Sequence, residues 1–336
     1  MKENQVLTEI SNGIFSDFNL RAALQFEGDG QKTLFELAQK KRSAKFPEEK
    51  VQVRSVIEIS NICRQKCKYC AIGGKSQKLN YTLSAENIEM LGTYLYNRGR
   101  RNLLLQSGEN VSQEFTDSVA KAVKNIKKDC PDLKIILCMG DLSKEQYQKL
   151  FDAGASHYIL KFESSDEKLF SFCKPNDSFK NRMECIENLI EVGFKVGSGN
   201  IVGLPGQNLD ILVRDLKLVH SLPLAMNSTT IFIPAENSAF EKEPAGNPVY
   251  TLNMMALLRI MNPHRLMPTT SSLEKMIPDG QFIGLKAGAN TITVHDGTPE
   301  DLQQYFPIYS SKRVRPQTEH FKDILKRAGM TAENIL

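Results

Sequence analysis

The chain has 336 residues, 41% of them hydrophobic and 24% charged, and its 43 basic and 39 acidic residues leave a formal net charge of +4. A chain of this length buries roughly three quarters of its unfolded surface, so a globular protein with a sizeable core is expected. There is no basic stripe with interleaved aromatics and no run near the roughly 18 apolar residues of a membrane span, which argues against nucleic-acid and membrane partners. The N-terminus lacks an apolar signal segment, so a cytoplasmic location is expected. Seven cysteines, an odd number, argue against a disulfide framework and for thiolates that bind or react.

In chain order, 17–26 (DFNLRAALQF) and 31–46 (QKTLFELAQKKRSAKF) read as helices that precede the first strand. Eight β-rich runs follow, at 51–60, 102–107, 133–138, 157–163, 194–202, 227–234, 265–270 and 290–294. Helical periodicity fills stretches between them, as in 84–99, 178–193 and 252–263. Repeated βα units imply a parallel sheet with right-handed crossovers, and eight of them predict an α/β fold of the (βα)8 TIM-barrel type. The expected organisation is an N-terminal helical cap over 1–50 and a barrel with a C-terminal extension over 51–336, together a single structural domain.

Directly after the first strand, NICRQKCKYCAIGG (61–74) places Cys63, Cys67 and Cys70 within eight positions. A structural zinc site takes four protein ligands in separated pairs or with histidines, and this stretch offers three cysteines and no histidine. In a barrel the loops after the strands face the functional end, so the thiolates point into the barrel mouth. Three thiolates on a four-iron cubane leave one iron with an open position, whereas four close it. A set of merely structural cysteines or a degenerate zinc knuckle is the alternative.

Cys63-x3-Cys67-x2-Cys70, with Tyr69 before the last cysteine, resembles the signature of radical S-adenosylmethionine (SAM) enzymes. The resemblance implies one 4Fe-4S cluster on Cys63, Cys67 and Cys70, with SAM chelating its unique iron. It also implies reductive cleavage of SAM to a 5′-deoxyadenosyl radical that acts on a small-molecule substrate, and oxygen sensitivity. LLLQSGE at the second strand resembles the motif that receives the cofactor's amino group, with Ser107, Gly108 and Glu109 in the matching places. LKFESS carries Lys161 and Glu163, where relatives contact the cofactor carboxylate and ribose. GSGNIVGLPGQ matches the adenine and ribose segment and implicates Ser198, Asn200, Ile201 and Gly203; Tyr69 is counted with the cofactor. Arg182 opens the apolar stripe of Ile186 and Leu189 on its helix, so its guanidinium must snorkel or find a partner. Relatives use an arginine there for the cofactor carboxylate.

KPNDSFKNR, VGLPGQ, FIPAENSAF and LKAGAN resemble the biotin synthase-like branch. Within it the likeness is greatest to the HydE-type maturase of iron-only hydrogenase, then to 3-methylornithine synthase and biotin synthase. Ala71 and Lys161 depart from the glycine and arginine common in HydE-type chains. The biotin synthase pattern needs further thiolates and an arginine on the seventh strand, where this chain has Gly197, an out-of-register Cys138, and Pro268 with Thr269; Cys130, Cys173 and Cys185 fall on loops or helices. Sulfur insertion is therefore disfavoured. The substrate is expected near Gln106, Thr269, Thr270, Ser271 and Ser272. An electron donor such as ferredoxin or flavodoxin and a maturation-protein partner complete the expectation; a non-catalytic iron-sulfur carrier is the alternative of another class.

Overall fold

A computed structural model describes residues 3–72, 79–307 and 316–335. Three helices come first, α1 (Glu3–Ser11), α2 (Asp17–Leu24) and α3 (Gly28–Ser43). Strands and helices then alternate: β1 (Lys50–Ser60), α4 (Ala85–Asn97), β2 (Asn102–Ser107), α5 (Gln113–Asp129), β3 (Lys134–Cys138), α6 (Lys144–Asp152) and β4 (His157–Ile159). Next come α7 (Glu167–Cys173), α8 (Phe179–Val192), β5 (Lys195–Val202), α9 (Leu209–Ser221), β6 (Met226–Ile231) and α10 (Pro248–Met261). The chain closes with α11 (Ser271–Met276), α12 (Gly280–Lys286), β7 (Thr291–Val294), α13 (Glu300–Gln303), α14 (Thr318–Ala328) and β8 (Thr331–Ala332). The crossover helices start where the sequence supplies caps: Ser84, Ser112, Ser143, Ser178 and Asn208 each accept a backbone N–H from the first turn.

The strands pair in parallel in the order β6-β5-β4-β3-β2-β1-β7, as right-handed βα crossovers require. The expected seventh strand at 265–270 does not form. Instead Leu266 bridges Met226 and Pro268 bridges Thr291, so an irregular segment links β6 to β7. Asn227 N–H donates to the Leu266 carbonyl at 2.8 Å and Thr269 N–H to the Thr291 carbonyl at 3.0 Å. Pro268 has no N–H to give to a ladder, which explains why pairing stays local here. The eighth strand, β8, lies outside the ring and pairs with Lys50 and Val51 at the start of β1. The result is a parallel α/β barrel-type sheet rather than eight regular βα units.

The large apolar core lies between the sheet and its helices, and a second small cluster, Val56, Leu104 and Ile136 with Cys138 and Ile159, fills the inside of the ring. Period-two alternation along β1 divides the two, sending Val53, Ile57 and Ile59 outward and Arg54 and Val56 inward. Helices α1 to α3 pack on α9, α10 and α12, the outer helical layer. Asn253 of α10 donates to the carbonyls of Leu24 and Phe26, and Arg42 of α3 donates to those of Leu285 and Ala289. None of the helices among the described residues is long and apolar enough to cross a membrane.

Candidate active site

The loop after β1 is held from three sides by backbone hydrogen bonds. Arg64 N–H donates to the Glu109 carbonyl after β2, Lys68 N–H to the Cys173 carbonyl at the end of α7, and Phe240 N–H to the Lys68 carbonyl. The Lys68 ammonium stands 3.6 Å above the Phe172 ring. Glu109 N–H reaches Cys63 Sγ at 3.3 Å. Cys63, Cys67 and Cys70 are half-buried, all seven cysteines are free thiols, and Cys130, Cys173 and Cys185 are buried.

The three thiols line the mouth of a cavity of about 440 Å³ at the C-terminal ends of the strands. Tyr69, Ser107, Gly108, Glu109, Lys161, Glu163, Arg182 and Ile201 line it too, as do Gln106, Thr269, Thr270, Ser271 and Ser272. The fold therefore gathers residues separated by about two hundred positions around one space. Thr269 is tied back by a hydrogen bond to the Gln281 carbonyl, while the Thr270 and Ser272 hydroxyls lie 2.6 Å apart.

Three expected contributors lie elsewhere. Ser198 and Asn200 sit on the face of β5 turned towards the helices, because strand alternation puts Gly197, Gly199 and Ile201 inward. The Asn200 amide is satisfied there by Asp215 and Thr229, so it has nothing left to offer a ligand in the cavity. Gly203, at φ +94°, turns the chain against Gly246 and donates its N–H to Gln207 Oε1.

Arg182 does not snorkel: it lines the cavity and is partnered within the protein, with Nε the one guanidinium nitrogen that has no hydrogen-bond partner among the described residues. Only 4% exposed, it is buried among carboxylates, with Nη2 3.1 Å from Asp141, 3.2 Å from Asp177 and 3.9 Å from Glu109, and Nη1 donating to the Lys161 carbonyl. Burial opposes its charge, but these three acids outweigh burial and hold it protonated. Burial pushes Asp141 up to about 7, with Arg182 pulling the other way. Burial acts in the same sense on Asp177, but hydrogen bonding from Asp141 and the charges of Lys174 and Arg182 carry its pKa below the usual carboxylate range. Glu109 is equally committed: Arg64 and Gln65 donate to one oxygen and Asp141 N–H to the other.

Pairing with β5 continues past β4 in irregular form. Glu163 N–H donates to the Gly199 carbonyl, the Glu163 carbonyl accepts from Ile201 N–H, and Glu163 adopts a left-handed φ of +63°. Such strain in a non-glycine residue costs on the order of 1–3 kcal/mol and clusters at functional sites. Lys161 Nζ lies 3.1 Å from Glu163 Oε2 and donates to Thr230 Oγ1.

The cavity also takes in Arg54, Gln65, Cys138, Lys174 and His295, none of them expected. Strand period could have found Arg54, which shares an inward face with Val56, and Cys138, which is in register with Gln106. Nothing local could have found His295, whose Nδ1 lies 3.4 Å from the buried Glu58.

The thiol set fits a multi-iron cluster. Among the described residues no three histidine, cysteine or acidic side chains converge as they would around one ion, whereas a cubane takes each thiolate on a different iron. Burial pushes the Cys67 thiol up to about 12, so it is held as the neutral thiol, and a thiol in that state must lose its proton before it can ligate a metal. Three spaced thiols at the mouth of a cavity in a parallel barrel-type sheet are a donor set that could hold an iron-sulfur group. Residues 57–219 match the radical SAM superfamily. The chain is 33% identical over 314 residues to the [FeFe] hydrogenase maturase subunit HydE of Thermotoga maritima, covering 93% of this chain and 89% of that protein. It is 27% identical over 321 residues to 3-methylornithine synthase of Methanosarcina acetivorans (95% and 90% covered) and 26% identical over 314 residues to biotin synthase of Brucella anthropi (90% and 87%). The crystal structure of methylornithine synthase superposes with a TM-score of 0.84 at 23% identity, covering 97% of each chain, a likeness of fold. The chain belongs to the radical SAM superfamily, whose members use a 4Fe-4S cluster and SAM.

Proposed function

We propose that this protein is a radical SAM enzyme of the HydE type, with one 4Fe-4S cluster on Cys63, Cys67 and Cys70 and SAM bound between those thiols and the cavity. The observation that carries the reading is the placement of the three half-buried thiols at the mouth of the cavity, with Cys63 packed against Gly108. A 4Fe-4S cluster held by Cys63, Cys67 and Cys70 would supply, when reduced, the electron for reductive cleavage of SAM.

Gly108 gives SAM close approach to the backbone after β2, Lys161 and Glu163 present a cation and a carboxylate at the end of β4, and Ile201 offers an apolar surface. Arg182 and Glu109 act as the rigid charged frame behind these groups. The hydroxyls of Thr269, Thr270, Ser271 and Ser272 with Gln106 face a small polar substrate beneath. Cys138 is the one further thiol at the cavity among the described residues, while Cys130, Cys173 and Cys185 are buried on separate elements, which supports a single cluster and no sulfur insertion. Helices α1 to α3 serve the barrel as a packed buttress. Ferredoxin or flavodoxin is the electron donor, and the product passes to a hydrogenase-maturation partner.

Anaerobic reconstitution with iron and sulfide, followed by reductant and SAM, tests the chemistry through 5′-deoxyadenosine. Restoration of hydrogenase activity in a host lacking its own HydE tests the subtype. Cluster-loaded protein that forms no deoxyadenosine overturns the first, and failure to restore hydrogenase overturns the second in favour of a paralogue such as a 3-methylornithine synthase.

A further inference from the structure

A non-glycine residue stays at the φ of +63° that Glu163 adopts only where its surroundings hold it there. Two restraints come from β5: Glu163 N–H donates to the Gly199 carbonyl at 3.0 Å, and the Glu163 carbonyl accepts from Ile201 N–H at 2.9 Å. A third comes from behind the sheet. Ser165, two residues on, donates its N–H to Asp215 Oδ1 at 2.7 Å, and Asp215 belongs to α9 in the helical layer. The other oxygen, Oδ2, accepts from Asn200 Nδ2 at 2.8 Å, and Asn200 stands opposite Glu163 in an isolated bridge between the two segments. One side chain outside the cavity therefore joins both segments where Glu163 and Ile201 enter its wall.

Asp215 is fully buried, and among the described residues no cation lies within ion-pair distance of it. Arg214, the cation that acts on it, is exposed and paired with Asp166. Burial pushes Asp215 up to about 6, while the bonds from Ser165 and Asn200 pull the other way, so at neutral pH it is an acceptor-only carboxylate. Such a group is costly to bury, and what offsets the cost here is directed hydrogen bonding. Gln207 extends the connection: its Nε2 lies 3.4 Å from Asp215 Oδ2 and donates to the Ile201 carbonyl at 2.9 Å, and its Oε1 takes the Gly203 N–H at 2.6 Å.

We propose that Asp215 is a positioning residue for SAM, fixing from outside the cavity the strained turn that presents the Glu163 carboxylate. The inference rests on the reading of this cavity as the SAM site. Asp215→Asn is nearly isosteric, but its amide turns a donor towards Ser165 N–H or Asn200 Nδ2, so one of the two bonds is lost. Adding Asn200→Asp restores the pattern, because the new amide donates to the new carboxylate. Reconstituted Asp215→Asn holds the iron of the unmodified protein but binds SAM about tenfold more weakly in equilibrium dialysis, and the paired variant recovers the affinity to within about twofold. In a Glu163→Gly background, Asp215→Asn changes SAM affinity by less than about twofold, since its effect runs through Glu163. In the cluster-free chain, amide hydrogen exchange over 163–165 is faster in Asp215→Asn and returns to the parent rate in the paired variant. Unchanged exchange, unchanged SAM affinity in Asp215→Asn, or a loss as large with Glu163→Gly as without it overturns the proposal; the last is what a merely structural carboxylate gives. If Asp215→Asn does not fold, the paired variant decides, and a tenfold loss of SAM affinity there overturns the proposal. Unmodified, reconstituted protein that binds no SAM overturns the enzyme reading and this role together, whereas normal SAM binding with an unaffected Asp215→Asn overturns the role alone.

Discussion

Gly108 and Cys63 touch: a Cβ built on Gly108 would stand 2.8 Å from the Cys63 Cβ and drive into the Ile62 carbonyl. Neither neighbour is the far end of a flexible side chain. The end of β2 and the first cysteine are therefore fitted to one another, and a methyl group at 108 must move the loop. Gly108→Ala is expected to keep the helical circular dichroism of the parent while reconstituting with less than half its iron. Normal iron content in that variant would show that the loop yields freely.

Substitution of Cys63, Cys67 or Cys70 by alanine removes a thiolate from one iron each and should abolish the visible charge-transfer absorbance. Cys138→Ser, at the inner wall, should retain both iron and absorbance, as should the same change at Cys130, Cys173 and Cys185. Iron and sulfide analysis after anaerobic reconstitution checks each, and a loss of about half the iron in any of the last four would reveal a second cluster.

Arg182→Ala leaves Glu109, Asp141 and Asp177 facing one another in a buried space. Breaking a buried pair by removing one partner costs about 3–5 kcal/mol, so the variant should lose that much stability in urea denaturation. A loss under about 1 kcal/mol would mean that the network relaxes into solvent.

The same network predicts a pH dependence. Burial raises Asp141 from 3.8 to about 7, so between those values the folded chain keeps a proton that the unfolded chain has released. Stability attributable to this group is complete below about pH 4 and is lost as pH rises towards 7. Asp141→Asn cannot titrate, so the stability of the parent relative to this variant should fall across the window. Parallel urea midpoints at pH 5 to 8 would refute the raised carboxyl.

Glu163 holds a left-handed backbone beside Lys161 at the cavity wall. Glu163→Gly removes the strain together with the carboxylate, so thermal stability should stay level or rise while SAM affinity drops about tenfold, as expected for the loss of a hydrogen bond to a charged group. Equilibrium dialysis with reconstituted protein measures the second effect, and unchanged affinity would remove Glu163 from the SAM site.

Local chemistry was legible in the order of residues. The spacing of Cys63, Cys67 and Cys70, the serine caps before the crossover helices and the alternation of β runs with helical stretches depend on near neighbours, and a linear chain records near neighbours directly. Six of the eight expected strands appear within a few residues of their predicted bounds, and β7 forms at 291–294 within the run expected at 290–294. The exception at 265–270 turns on Pro268, which supports bridges but not a ladder. What only the tertiary structure decided is which side each residue faces and who its partner is. One position of strand phase sends Ser198 and Asn200 to the helices and Ile201 to the lumen. Arg182 reads from its helix as a charge in search of a ligand, yet Glu109, Asp141 and Asp177 reach it from other elements. Arg54 looks in sequence like one charge in an apolar strand, and the fold sets it on the cavity wall beside Met226. Partners of that kind come from sequence separations of tens to hundreds of residues, and only closure of the sheet brings them within the few ångströms over which buried charges select each other.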